Sequence, residues 1–210
     1  MNIEKFVTEL SKIPGDDMTE NPYYGDSEQA AANRYNLSGY LNMVKKSRGK
    51  KILFVGDTPS HIEGIKTGLP FTDEFSLTDP ANDGLFDFTP KCLGEAKDNS
   101  IQAIWEVARE VGFIPALWNV FPFHPHLKYT PESNRAPRPS EIEEIGEVFL
   151  KHLIGILGVE KIYPIGNTAD VFLSKMDLGS VARGTKIRHP SYGGKEECKA
   201  RMLEIIRTEM

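Results

Sequence analysis

The run Lys51-Ile-Leu-Phe-Val-Gly56 constrains the fold of this chain more than any other feature. It is short, continuously apolar and closed by a turn signal, the pattern of a strand buried on both faces. Residues 116–121, 161–165 and 185–188 repeat the pattern more weakly. Helical stretches separate these runs. Residues 99–111 end at Gly112. Residues 140–157 open on a Ser140/Glu143 capping box and stop at Gly158. Residues 167–175 and 195–208 complete the set. Strands alternating with helices predict an α/β fold, a three-layer α/β/α sandwich around a central, mainly parallel four-stranded sheet.

Ahead of the first strand, Ser27 is placed to cap a helix reaching Lys46, with Ala30, Ala31, Tyr35, Leu37 and Leu41 as its apolar positions. Residues 12–26 read as a loop. Residues 67–98 read as an unusually long one, and loops of that length tend to be functional. The 210 residues are enough for one sizeable core, so residues 1–210 are expected to form a single domain with 1–48 as a helical segment packed on it.

The formal net charge of -5 argues against coating nucleic acid through bulk positive charge, but leaves room for one local basic face. The two cysteines, Cys92 and Cys198, are far apart in sequence and outside any CxxC spacing. Neither a zinc site nor a disulfide framework is expected. No signal-peptide core opens the chain and no apolar run is long enough to span a bilayer, so a cytoplasmic protein without a membrane partner is expected.

The residues just beyond each strand carry the chemistry. Gly56-Asp57-Thr58-Pro59-Ser60-His61 closes the first. Asn119 lies in the second, which runs on into Pro122-Phe123-His124-Pro125-His126. Gly166-Asn167-Thr168 comes after the third and His189-Pro190-Ser191 after the fourth. Open parallel sheets bind ligands outside the carboxyl ends of their strands, so Asp, Asn and His converge on one edge.

These segments resemble the motifs of the uracil-DNA glycosylase superfamily. Gly56-Asp57-Thr58-Pro59-Ser60 resembles its first Gly-x-x-Pro turn. Thr67-Gly68-Leu69-Pro70-Phe71-Thr72 is similar to the Gly-x-Pro-Phe segment of the branch that usually carries an iron–sulfur cluster. Leu117-Trp118-Asn119-Val120 and His189-Pro190-Ser191 match the second-strand and terminal motifs. The four occur in family order.

The resemblance implies a DNA glycosylase that hydrolyses the N-glycosidic bond of uracil, or a related damaged base, and leaves an abasic site. The base would be flipped into a pocket. Phe71 would stack on it beside Gly56, and the Asn119 amide would match the donor and acceptor of uracil's Watson–Crick edge. Asp57 would act at the sugar or on water, and His189 would donate to the developing negative charge on the base. Arg183, Lys186, Arg188, Ser191 and Tyr192 flank the terminal motif. With Ser60 they are the expected DNA contacts, Tyr192 as a wedge. Lys195, Thr168, Lys128, Arg135 and Arg138 are further candidates for the rim.

The chain departs from the family pattern at two places. Asp57 stands where the iron–sulfur branch has Glu, while Thr58 stands where another branch has its Asp. Two cysteines cannot replace four cluster ligands, so no iron–sulfur cluster and no other cofactor or metal is expected. His124 and His126 are expected as solvated loop residues. The resemblance implies a monomer. A glycosylase for another deaminated or oxidised base, and a non-catalytic nucleic-acid-binding relative, remain alternatives.

Overall fold

A computed structural model describes all 210 residues. Its helices and strands are built around a four-stranded sheet, with a small two-stranded sheet beside it. The order is α1 (Ile3–Ser11), β1 (Thr19–Glu20), α2 (Glu28–Lys46), β2 (Ile52–Gly56), α3 (Glu74–Thr78), α4 (Gln102–Val111), β3 (Ala116–Asn119) and β4 (His124–Pro125). The second half holds α5 (Pro139–Glu141), α6 (Glu147–Leu157), β5 (Lys161–Pro164), α7 (Asn167–Lys175), β6 (Ala182–Arg183) and α8 (Lys195–Glu209). The sheet order is β3-β2-β5-β6 and every pairing is parallel. All five residues of β2 are buried, as a central strand covered on both faces requires. Helix α4 packs on α8, while α1, α2 and α6 pack on one another. No helix is long and apolar enough to cross a membrane.

The predicted elements differ from the observed ones in three places. The fourth strand is Ala182–Arg183 rather than 185–188. Gly184 N–H still donates to Ile162 O, but the next amide to meet the ladder is Ile187, donating to Pro164 O. That step holds one residue too many, so the edge is split by a bulge and residues 185–186 leave the sheet. At the long helix, the Ser140/Glu143 box does not form. Pro139 starts the helix instead, and the Glu141 carboxylate accepts the Arg138 N–H at 2.6 Å. A π turn, Ile142–Gly146, joins α5 to α6. Gly146 rides on the carbonyl of Val120 there, where any Cβ would overlap it.

The long segment 67–98 is packed rather than loose. Asp73 caps α3 through Ser76 N–H at 2.7 Å and takes Asp98 N–H at 2.6 Å on its other oxygen. The amide of Asn36, fully buried in α2, donates to Thr67 O and Lys91 O and accepts from Lys91 N–H. Buried polar groups satisfied by backbone in this way fix a loop that has little regular structure of its own.

Candidate active site

Gly56 and Asn119 close β2 and β3, and they are direct partners in the parallel ladder. The chain leaves β2 for β3 on one side, while β5 lies on the other side and leads to β6. The crevice between the ends of β2 and β5 is therefore the topological switch point. Asp57 follows β2 at that point and Gly166 lies just beyond β5. A Cβ on Gly166 would stand 3.4 and 3.6 Å from the two Asp57 carboxylate oxygens and 3.5 Å from Cδ2 of His189. Acid and imidazole thus border the same glycine, 132 residues apart in the chain by their numbering.

Asp57 does two things at once. Its Oδ1 accepts the Ala169 N–H at 3.0 Å in the first turn of α7. Gly166, at the N-cap position, has no side chain to do this, so Asp57 caps α7 from a neighbouring strand. Burial holds its carboxyl above the ordinary aspartate range, against the opposing pull of Ala169, Thr168 and His189.

His189 is held by its own motif. Its Nδ1 accepts the Ser191 N–H at 3.2 Å and lies 2.7 Å from Ser191 Oγ. A ring nitrogen that accepts from an amide carries no proton, so the proton sits on Nε2. Burial pushes the imidazole pKa down, while Asp57 and Asp98 push it back up. The net direction keeps the ring neutral with an Nε2–H donor.

Across Gly56 stands the second half of the site. The ring of Phe71 occupies the space where a Gly56 Cβ would be, and Asn119 Oδ1 would lie 3.1 Å from that Cβ. Only glycine at position 56 lets the ring and the amide meet there. Phe71 is buried and adopts a left-handed backbone, φ 54°, with its carbonyl pinned by the Trp105 indole N–H at 3.0 Å. Strain of this kind persists only where the surroundings over-determine it.

A cleft of about 430 Å³ opens beside His189, bordered by Gly166, Lys186, Arg188, Ser191 and Tyr192. Tyr192 stands at its tip, 98% exposed with φ 51°. Lys186 Nζ donates to Asn167 Oδ1 at 2.8 Å, and Arg188 reaches Tyr192 O at 3.2 Å.

Other expected contacts are placed elsewhere. Arg183 sits opposite Ile162, back from the carboxyl end of β5, and its guanidinium pairs with Asp170. Ser60 turns its hydroxyl inward, accepting from Ile62 N–H and Glu63 N–H at 3.3 and 3.1 Å. Arg135 is committed to Glu141 at 2.5 Å, Lys128 to Asp17 at 3.1 Å and Lys195 to Glu106 at 2.5 Å. Arg138 lies at the start of α5, its guanidinium 2.8 Å from the Met18 sulfur.

His124 and His126 are buried, not solvated. The two ring nitrogens of His124 each lie 3.0 Å from a carbonyl oxygen, Pro59 on one side and Pro131 on the other. The segment is held rather than loose: β4 pairs with β1, and His126 N–H donates to Met18 O at 2.9 Å. No cluster of three or more His, Cys, Asp or Glu is arranged to hold a metal ion.

One residue of the site lies outside the motifs although its sequence signal is present. Ser60-x-x-Glu63 is a capping box. Glu63 Oε1 accepts the Ser60 N–H at 3.0 Å while Ser60 Oγ accepts the Glu63 N–H. The box stabilises the turn that follows the first motif. Glu63 is buried, its Oε2 has no hydrogen-bond partner, and burial raises its pKa to about 8.

A sequence model of the uracil DNA glycosylase superfamily matches residues 45–206. The crystal structure of SMUG2 from Pedobacter heparinus is similar to this chain with a TM-score of 0.71 at 15% identity. The match covers 99% of this chain and 97% of that one. No curated protein matches the chain in sequence.

Proposed function

The chain belongs to the uracil DNA glycosylase superfamily, and from that premise we propose that it is a monofunctional DNA glycosylase that hydrolyses the N-glycosidic bond of uracil. The carrying observation is the meeting of Asp57 and His189 at Gly166, with Phe71 and Asn119 facing each other across Gly56.

Glycosidic cleavage builds positive charge on the sugar and negative charge on the departing base. The Asp57 oxygen not used by Ala169 stabilises the cationic sugar and orients water for attack at its anomeric carbon. The Nε2–H of His189 donates to the base oxygen as negative charge grows there, and a neutral imidazole suffices. Phe71 supplies a stacking face. The Asn119 amide donates to one uracil carbonyl and accepts from the ring N–H beside it. Lys186, Arg188 and Ser191 border the backbone of a DNA strand laid in the cleft, and exposed Tyr192 enters the gap left by the flipped base. Lys66, the first lysine after the first motif, is exposed on the surface, which supports hydrolysis rather than Schiff-base chemistry. The protein acts as a monomer, and its carboxylate, imidazole and amide do the chemistry without a cofactor.

The test is Asn119→Asp. A carboxylate accepts but does not donate, so it leaves one uracil carbonyl unpaired and repels it. A site built around such bonds rejects the mismatched base by roughly 10⁴-fold. Excision of uracil is expected to fall by that order relative to excision of cytosine, whose amino group donates. Equal loss for both bases, in a folded variant, means that Asn119 does not read the base.

A further inference from the structure

We propose that Tyr23, supplied by the N-terminal segment, is the end wall of the base pocket and sets the size of base that enters. The proposal rests on the glycosylase function proposed for the site. Tyr23 lies outside residues 45–206, the part matched by the superfamily's sequence model.

Beside Asn119 is a cavity of about 10 Å³, with Tyr23, Pro59, Leu69 and Trp118 among its walls. That volume holds about one water. A pyrimidine enters only if a wall yields, so the identity and stiffness of the walls decide which bases fit. Trp118 is buried and its indole N–H has no hydrogen-bond partner. An unpaired buried donor is unfavourable until an acceptor reaches it, and Trp118 is one of the residues that line the cavity.

Tyr23 is a firmly held wall. It is buried, and its hydroxyl donates to Gly68 O at 2.9 Å. Its N–H donates to Asn21 Oδ1 at 2.9 Å, and its carbonyl accepts from Arg34 at 2.6 Å. The neighbouring Pro22 carbonyl is held by Asn33, whose amide also donates to Ile65 O. These bonds join the Tyr23 ring to the segment that carries Phe71. End wall and stacking ring are tied into one bonded segment, so Tyr23 is not the wall that yields as the base enters. A base with an added ring substituent or a second ring meets the tyrosine.

Excision rates from oligonucleotides carrying uracil, thymine or hypoxanthine test this in single turnover, with the full-length protein and its Tyr23→Phe, Tyr23→Ala and Tyr23→Leu variants. One methyl group in a pocket is worth roughly 10–200-fold in discrimination. Tyr23→Phe keeps the ring and is expected to keep the wild-type ratio of rates. Tyr23→Ala, or Tyr23→Leu if the alanine variant does not fold, is expected to raise thymine or hypoxanthine excision relative to uracil by at least about tenfold. A ratio within about twofold of wild type while all rates fall together overturns the proposal and leaves Tyr23 a packing residue. A folded wild-type protein that releases none of the three bases instead overturns the glycosylase function, and this proposal with it.

Discussion

Replacing Asp57 with Asn is expected to lower single-turnover excision of uracil by about 10²–10⁴-fold, the range for loss of a positioned acid–base group, while the fold survives. The two oxygens of this side chain have separate duties. Oδ1 caps α7 through Ala169 N–H, and an asparagine Oδ1 continues to do so. What the substitution removes is the charge beside the sugar. Asp57→Ala removes both, and its stability should fall by about 1 kcal/mol more through loss of the cap. A purely structural Asp57 predicts the reverse: near-normal excision in the Asn variant and a loss in the Ala variant that follows its stability. The pH profile adds a second readout. The active form is the carboxylate, present above its pKa. Burial raises that pKa above the usual aspartate value of 3.8. The acid limb of kcat/KM should therefore fall off at a higher pH than an exposed aspartate allows, and should vanish from the residual activity of the Asn variant.

Glu63→Gln is expected to stabilise the protein, increasingly so as the pH rises. The folded state holds this carboxyl protonated up to about pH 8, whereas an exposed glutamate ionises near 4.5. Between those values the folded chain binds a proton that the unfolded chain has released. Stability therefore declines as pH rises from about 4.5 to about 8 and is level beyond. A difference of one pH unit between the two ionisations is worth about 1.4 kcal/mol, so the loss across this window is on the order of 5 kcal/mol. Glutamine keeps the oxygen that accepts Ser60 N–H but carries no ionisable group. Denaturant unfolding at about pH 5 and about pH 8.5, near the two ends of the window, checks this. The variant should lose far less stability than the wild type between the two conditions. A parallel loss in both proteins means that Glu63 is ionised in the fold.

The parts of the fold legible in the sequence are those decided locally. The apolar run of β2 and the Ser27 cap of α2 each state their conformation within a few residues. Convergence on one sheet edge is legible too, because a parallel sheet sends the ends of its strands to one side. The hidden parts depend on partners far away in sequence. Arg183 reads as a free cation until Asp170 is folded beside it. Arg135 does so until Glu141 closes on it. His124 and His126 read as solvated, yet the fold buries both where β4 pairs with β1. The bulge that displaces residues 185–186 carries no motif, since it is set by the register of β5. Tyr23 lies in a stretch whose composition says only loop, and its position beside Asn119 is a product of tertiary packing.

Removal of uracil from DNA by hydrolysis, at the edge formed by Asp57, Phe71, Asn119 and His189, is tested most directly with the wild-type protein and end-labelled oligonucleotides. Each carries a single uracil, in single-stranded or duplex form, and is treated with alkali after incubation. Strand breaks at the uracil position are expected only after alkali, with none in a uracil-free control, and they should nearly disappear with Asp57→Asn. Absence of breaks in both forms of DNA would contradict the assignment of uracil, and breaks that need no alkali would contradict hydrolysis without lyase chemistry.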